Sequence, residues 1–279
     1  MLLVLLFPGA VFLLVFTALP IIMMVAESFY KSDYIVREFV GLKNYIKTFQ
    51  DPEYWSSFSA SFLYSVLICP VVTLVPLLVA LMVYDLPKRI RTYTRFVFFV
   101  PSFSAGVIIS QVWRWIFQPR MGILNHLLGL VGIAPVMWMG TRVSAITGIS
   151  LMMVMGGMGL PLLIYLSRIL AIDEELYETA VMDGASKFQI RMRVVLPELI
   201  PTILLVVLMT MFSGFYILET IIMMTGGGYG SRNFIFDIYH QGIYKNALGV
   251  ASARSVLLFV LVFALTFLKR RAEWRLREE

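Results

Sequence analysis

The amino-acid sequence predicts an all-α membrane protein with six transmembrane helices. Of its 279 residues, 59% are hydrophobic and only 14% are charged, and the mean hydropathy is +0.85. A typical soluble domain is about half apolar and about a quarter charged. The apolar residues also fall into six long runs separated by polar connections, which is the pattern of a helical multi-pass protein.

Each apolar run is long enough for a helix that crosses the bilayer, which takes about 20 residues. The first run has no basic segment before it and is longer than the apolar part of a signal peptide, so we expect a retained span. Arg254, inside the last run, can extend to the interface or pair with an acidic group. A single transmembrane domain of residues 1–279 is expected, with spans at about 1–26, 59–84, 96–117, 143–167, 199–224 and 247–268.

Basic residues are distributed unevenly between the two sets of connections. The connections after the second and fourth runs carry, with the C-terminal tail, thirteen Lys and Arg residues, whereas the opposite connections carry eight. Because cytoplasmic loops are enriched in Lys and Arg, both termini are predicted to be cytoplasmic. We therefore expect a multi-pass protein of the inner (cytoplasmic) membrane that contacts lipid, and the net charge of +6 does not indicate nucleic acid.

A polar segment, residues 169–198, lies between the fourth and fifth runs, on the predicted cytoplasmic side. Asp173 is placed to cap a short helix, and Gly184 stands where a helix C-terminus takes a residue with positive φ. Ser186 and Gln189 have the spacing of a capping box, so a second helix should follow the glycine. An amphipathic helix resting on lipid headgroups is the alternative, but acidic residues are unfavourable at an anionic membrane surface.

Three motifs in this segment resemble the EAA loop of ABC-transporter permeases. They are Glu178-Thr179-Ala180, Asp183-Gly184-Ala185 and Leu196-Pro197. Thr179 stands where the family has a middle alanine. In that family this loop is the coupling helix, which occupies a cleft of the ATP-binding subunit. The resemblance implies that these eight residues couple the chain to an ATPase.

Three further stretches resemble the sugar-importer branch of these permeases, so the likeness covers nearly the whole chain. They are GLKNYIKTFQDPEYW (41–55), RFVFFVPSFSAGVIISQVWRWIFQPRMGILN (95–125) and TGGGYGSRNFIFDIYHQGIY (225–244), with Tyr229 where that branch has proline. The resemblance implies a type I importer permease of MetI-like architecture, similar to the maltose and glycerol-phosphate permeases.

The same resemblance implies a set of partners. They are a second permease subunit, in this branch usually a different chain, two ATP-binding subunits and an extracytoplasmic solute-binding protein. ATP and Mg would be bound by the ATPase subunits, so no cofactor is expected in this chain.

Two segments are small or polar where a transport pathway is expected. By resemblance they match positions that line the sugar pocket of the maltose permease, although they are mostly small or apolar here. The alternative is helix packing, for which Gly, Ser and Thr are common in membranes. Glu219 is either interfacial or faces a watery cavity. The predicted pathway residues are Met153, Gly156, Gly157 and Leu160 on one helical face, Thr210, Ser213, Gly214 and Ile217 on another, and Tyr216 and Glu219.

No group of residues in the sequence supports catalysis or metal binding. Two histidines are present without carboxylates at ligand spacing, there is no Walker motif, and TGGGYG lacks the Lys and Ser/Thr of a phosphate loop. We therefore expect a transport subunit and not an enzyme. The alternatives are an ABC permease for a non-sugar solute and an ion-coupled secondary transporter. The latter usually has internal repeats and acidic residues near the middle of a span, which we do not find.

Overall fold

The computed structural model describes residues 2–33, 35–103 and 106–278, which are mostly helical. By its internal contacts the chain divides into two compact units. The first unit comprises residues 1–59 and 232–279, and the second comprises residues 60–231. The boundary between them falls inside one long helix, Pro52–Val83.

The first half of the chain contains seven helices and a two-stranded sheet among its described residues. In chain order these are α1 (Leu2–Leu13), a π-helical turn (Leu14–Ala18), α2 (Leu19–Glu27), β1 (Tyr30–Ser32), β2 (Arg37–Phe39), α3 (Lys43–Gln50), α4 (Pro52–Val83), α5 (Lys88–Phe99), a 3₁₀ turn (Val100–Phe103), α6 (Gly106–Ile116) and α7 (Ile123–Leu130).

The remaining elements follow from residue 142. They are α8 (Arg142–Gly157), α9 (Gly159–Ile169), α10 (Glu174–Met182), α11 (Lys187–Ile190), a π-helical turn (Arg191–Val195), α12 (Leu196–Met211), a 3₁₀ turn (Ser213–Phe215), α13 (Glu219–Met224), α14 (Phe234–Tyr239), a π-helical turn (His240–Tyr244) and α15 (Leu248–Glu278).

Four helical segments are long and apolar enough to cross a membrane: Phe7–Glu27, Pro52–Val83, Arg142–Ile169 and Lys187–Phe215. A fifth is obtained when Lys88–Ser102 and Gly106–Ile116, which are bent by 88°, are taken as one broken span. The last apolar helix in the described part of the chain, Leu248–Ala264, is shorter. Helical membrane architecture is therefore supported, and the number six stays a prediction.

The first unit contains a small hairpin that the all-α prediction missed. β1 and β2 pair antiparallel, with Tyr30 opposite Phe39. Asn44, in the GLKNY motif, fixes this hairpin, because its side-chain amide donates to the carbonyl oxygens of Ser28 (2.8 Å) and Tyr30 (2.9 Å). Strands of three residues are too short to show a period of two in the sequence, so there was no signal to find.

The fifth predicted run, residues 199–224, is not one helix. α12 ends at Met211, and its freed carbonyl accepts a hydrogen bond of 2.6 Å from the Ser65 hydroxyl on α4. Gly214 then approaches α4 so closely that a Cβ there would lie 2.6 Å from the Ser65 backbone nitrogen. The helix α4 therefore stabilises this break, because its Ser65 hydroxyl is a hydrogen-bond partner for the Met211 carbonyl that is left free at the end of α12. The predicted continuous face through Thr210 and Ile217 was wrong for this reason.

The core of the second unit lies where α4, α9 and α12 meet. Its buried members include Leu77 and Leu81 from α4, Leu162 and Leu166 from α9, and Leu199 from α12. Truncating a buried leucine to alanine typically costs about 2–5 kcal/mol. This cluster is the platform on which the polar segment between α9 and α12 rests.

Candidate coupling segment and transport cavity

The polar segment forms the predicted helix, glycine turn and helix. We call residues 174–197 of this segment the elbow. Gly184 has φ +74°, and its N–H donates to the Val181 carbonyl at 3.0 Å. The next residue, Ala185, donates to the Ala180 carbonyl, also at 3.0 Å. This pair of bonds is a Schellman motif, which satisfies the free carbonyls at the end of α10 and requires a residue tolerant of positive φ. A Cβ on Gly184 would meet nothing within 4 Å, so only the backbone conformation demands glycine.

Side-chain capping fixes the start of the second helix but not of the first. The Ser186 N–H donates to Gln189 Oε1 at 2.7 Å, and the Gln189 N–H donates to Ser186 Oγ at 3.3 Å. This is the capping box that the spacing predicted. Asp173 occupies the N-cap position of α10, but its side chain makes no capping hydrogen bond, so that prediction was wrong.

The eight predicted coupling residues divide between two sides of the elbow. Ala180, Ala185 and Leu196 are partly buried and pack against the core cluster. The exposed ones are Glu178, Thr179, Asp183, Gly184 and Pro197. Small residues at positions 180 and 185 allow the elbow to lie close to the core while its acidic groups face outwards.

Apolar side chains also project from the elbow, and the sequence interpretation did not name them. Met182 is 87% exposed, Phe188 is 68% exposed, and Val181 is exposed between the charged residues Glu178 and Asp183. Exposed apolar groups with a polar rim are typical of surfaces that a partner covers. We call Val181, Met182 and Phe188 the elbow tip.

An ion pair and an aromatic contact attach the elbow to the end of α4. Asp85 Oδ2 lies 3.2 Å from Arg191 Nη2 and 3.8 Å from Lys187 Nζ. Next to it, the rings of Tyr84 and Tyr177 lie 6.3 Å apart. Burial, and to a lesser extent Tyr84, raises the pKa of Tyr177 to about 12, so its hydroxyl is protonated at neutral pH. These contacts attach the elbow to the end of α4.

A cavity of about 440 Å³ lies between α6, α8 and the break before α13. Its rim includes Ser102, whose hydroxyl donates to the Gly156 carbonyl at 2.7 Å, and Trp113. Six predicted pathway residues line it: Met153, Gly156, Gly157, Tyr216, Ile217 and Glu219. This volume is within the range of about 300–1,000 Å³ that is usual for small-molecule sites.

A smaller cavity of about 170 Å³ adjoins the same segments. It shares Met153 and Gly157 with the larger cavity. The predicted residues Leu160, Thr210 and Ser213 also line it. The structure therefore brings nine of the ten predicted pathway residues to two neighbouring cavities, and Gly214 lies apart.

For two of these residues the helix-packing interpretation also applies. The Thr210 hydroxyl donates to the Val206 carbonyl at 2.8 Å and lies 3.2 Å from the Thr73 hydroxyl of α4. Gly214 is buried against Ser65. Thr210 therefore serves the contact of α12 with α4, and Gly214 serves the contact of the following 3₁₀ turn with α4.

Glu219 lines the larger cavity. Its side chain is exposed, and its Oε2 would lie 2.9 Å from a Cβ on Gly106. Gly106 is the first residue of α6, where the positive end of the helix dipole favours a negative charge. Within the described part of the chain, the Glu219 carboxylate makes no hydrogen bond or ion pair.

Arg254 pairs with acidic groups, the second of the two possibilities that the sequence left open. It is 1% exposed and bonds to Asp237, which is equally buried, and to Asp51. Partial burial acts to raise the pKa of Asp51, but hydrogen bonds from Arg254 and from the Glu53 backbone hold it below its ordinary value. These residues come from the segment before α4, from α14 and from α15, so the network joins three parts of the first unit.

Two sequence motifs have structural roles. Asn125 makes four hydrogen bonds, among them one from the Trp138 indole at 3.0 Å.

In the TGGGYG loop, Gly226, Gly227 and Gly230 have positive φ, and so does Tyr229, at +56°. Proline, fixed near −65°, cannot adopt this conformation. Tyr229 therefore has a backbone conformation that the proline of the sugar-importer branch does not allow at this position.

The described residues contain no group of three or more His, Cys, Asp or Glu side chains able to hold a metal ion. The structure therefore adds no metal centre to the elbow and the cavities as candidate functional regions.

Comparison with known proteins gives consistent results. Residues 62–278 match the family described as binding-protein-dependent transport system inner membrane component. The chain is 30% identical over 260 residues to the trehalose/maltose transport system permease protein MalF of Thermococcus litoralis, covering 91% of this chain and 86% of that protein. It is 30% identical over 239 residues to the sn-glycerol-3-phosphate transport system permease protein UgpA of Yersinia pestis, covering 84% and 80%.

A solved structure shares the fold. It is that of a bacterial alginate ABC transporter in complex with an alginate pentasaccharide-bound periplasmic protein. One of its chains aligns with a TM-score of 0.86 at 22% identity, covering 99% of this chain and 94% of that chain.

Proposed function

Because this chain belongs to the family of binding-protein-dependent transport system inner membrane components, we propose that it forms half of the pathway of an ATP-driven sugar importer. The solute would be a sugar or a related compound delivered by a binding protein. The observation that carries the proposal is the exposed elbow, whose apolar tip and acidic rim project from the core of the second unit.

We propose that the elbow docks in a groove of an ATP-binding subunit. The elbow tip would be buried there, with Glu178 and Asp183 facing basic groups of the partner. The Schellman motif and the capping box hold the elbow in one shape before docking, which lowers the entropy cost of binding. A helix that rested on lipid headgroups would place both carboxylates at an anionic surface, where they are unfavourable.

Movement of the elbow would reach the spans through α4. Asp85 and Tyr84 at the end of α4 contact Arg191 and Tyr177 of the elbow, and Ala180 rests on the core that α4 shares with α9 and α12. A pull on the elbow by the closing ATPase dimer would therefore move these helices together. This is the displacement that alternating access requires, with hydrolysis of ATP returning the helices to their starting arrangement.

The proposed assembly contains this chain, a second permease subunit, two ATPase subunits and an extracytoplasmic binding protein. The chain would span the inner membrane six times, with both termini and the elbow in the cytoplasm, as the distribution of Lys and Arg predicts. ATP and Mg would be bound by the ATPase subunits. The contribution of this chain would be the pathway and the mechanical link, without a catalytic residue.

Co-purification followed by reconstitution tests the proposal. The chain is purified in mild detergent with the proteins that accompany it, and uptake of candidate sugars is measured in proteoliposomes with the neighbouring binding protein. We expect a second permease, an ATPase and uptake that stops when ATP is withheld. Uptake that follows an imposed ion gradient without ATP would instead establish the secondary-transporter alternative.

A further inference from the structure

The larger cavity has one charged side chain among its described lining residues. Glu219 supplies a carboxylate, whereas no Lys, Arg or His is among the described residues that line the cavity. Arg114 lies on the same helix as Trp113, but it lines a separate cavity of about 530 Å³ together with Tyr229. Among the described lining residues, Glu219 therefore carries the one full charge of the larger cavity.

The other cavity walls are suited to a sugar. Trp113 and Tyr216 offer aromatic surface against which the apolar faces of a sugar ring pack, and Ser102 and Thr220 add hydroxyls. The Glu219 carboxylate is an acceptor with no protein donor among the described residues, so it is free to accept hydrogen bonds from solute hydroxyls.

Gly106 provides the space that this carboxylate occupies. A Cβ at position 106 would lie 2.9 Å from Glu219 Oε2, closer than real Cβ contacts, so the carboxylate would have to move away. The two residues come from α6 and α13, which pack against each other. The position of the negative charge in the cavity therefore depends on a glycine in a neighbouring helix.

Building on the proposed function, we propose that Glu219 determines solute charge: the cavity accepts hydroxyl-rich saccharides without a negative charge and rejects acidic ones. Hydroxyl donors gain a charged acceptor, whose hydrogen bonds are about twice as strong as those of neutral groups. A sugar carboxylate or phosphate would instead be placed within a few ångström of a like charge, which repels it. Sugar acids and glycerol phosphates are thereby distinguished from neutral sugars by this chain itself, separately from any selection by the binding protein.

The test is a binding measurement on the whole transporter in nanodiscs without binding protein. Dissociation constants are measured by saturation-transfer NMR for methyl glycosides of glucose, galactose and mannose and for the matching methyl glycuronides, which differ in one carboxylate. For the pair that binds best, we expect the neutral member to bind at least about tenfold more tightly, a difference of about 1.4 kcal/mol.

Three variants locate the cause of this preference. Glu219→Gln should reduce the preference below about threefold, mainly by tighter binding of the glycuronide. Gly106→Ala should reduce it partly, because the charge remains but is displaced. Glu38→Gln removes an exposed carboxylate of β2, far along the chain from the cavity residues, and should leave the preference unchanged.

Three results would overturn the inference: no preference in the unmodified chain, the same preference after Glu219→Gln, or binding of none of the neutral glycosides. ATPase activity stimulated by the binding protein is measured in the same nanodiscs. If this stimulation is present while the charge preference is absent, the proposed function stands and the role of Glu219 fails alone.

Discussion

Replacing Gly184 by alanine should destabilise the elbow through one energy term, the cost of a positive φ for a residue that has a Cβ. Gly184 has φ +74°, a conformation that costs an L-residue about 1–2 kcal/mol. Since no atom lies within 4 Å of the added Cβ, no steric clash contributes. A penalty of this size lowers the population of the elbow relative to alternative conformations about 5- to 30-fold.

The assay compares Gly184→Ala, Gly184→Asn and Gly184→Val in the reconstituted transporter. We expect ATPase stimulation and uptake to fall together, least for Asn, which tolerates positive φ, and most for Val, which is branched at Cβ. Membrane insertion should not change, because Gly184 lies outside the candidate spans.

A matched control is available at Gly41, which has φ +59° and also has nothing within 4 Å of a Cβ. Gly41→Ala introduces the same kind of backbone strain between β2 and α3, and coupling should be preserved. Normal uptake by Gly184→Val would refute the reasoning. Equal losses in Gly41→Ala and Gly184→Ala would show that strain acts on stability in general and not on docking.

Three further predictions follow from particular contacts. Asp85→Asn should lower uptake per ATP hydrolysed, because the link between α4 and the elbow is weakened. The exchanged pair Asp85→Arg with Arg191→Asp should restore part of this uptake. The measurement is the ratio of uptake to ATP hydrolysis, and an unchanged ratio in Asp85→Asn would count against the link. Tyr229→Gly should raise thermal stability by about 1 kcal/mol by removing a non-glycine residue from positive φ, whereas Tyr229→Pro should lower it, as a melting curve of the purified chain would show. Arg254→Met should cost about 3–5 kcal/mol because it leaves the buried carboxylate of Asp237 without its partner, and a loss below about 1 kcal/mol in urea unfolding would contradict the buried network.

Local features of the elbow could be predicted from sequence because they depend on neighbouring residues. The positive φ of Gly184 follows from the end of one helix, and the reciprocal bonds of Ser186 and Gln189 follow from the start of the next. Each of these motifs is completed within about six residues, so the sequence alone specifies it. Long apolar runs likewise indicated membrane helices, because their length and composition reflect the bilayer and not a particular partner residue.

The break before α13 could not be predicted in this way. Residues 199–224 read as one apolar run, but Ser65, distant in the sequence, supplies the hydrogen bond that ends α12 at Met211. The tight approach of Gly214 to the same serine is likewise a contact between two helices. A periodic pattern records which residues would share a face if the helix continued, and it carries no information on where another helix interrupts it.

The pathway residues also combine features that the local sequence predicts with features that depend on contacts between distant residues. Composition and spacing identified small and polar positions, but only the tertiary structure separated those that line cavities from those that pack, such as Thr210 against Thr73. It also placed Gly106 beside Glu219 and the elbow tip on the surface, for which the sequence offered no signal. The sequence by itself therefore determined the class of the protein and its local turns, because these depend on short-range chemistry. Which polar groups face a cavity was decided by packing between residues that are far apart in the chain.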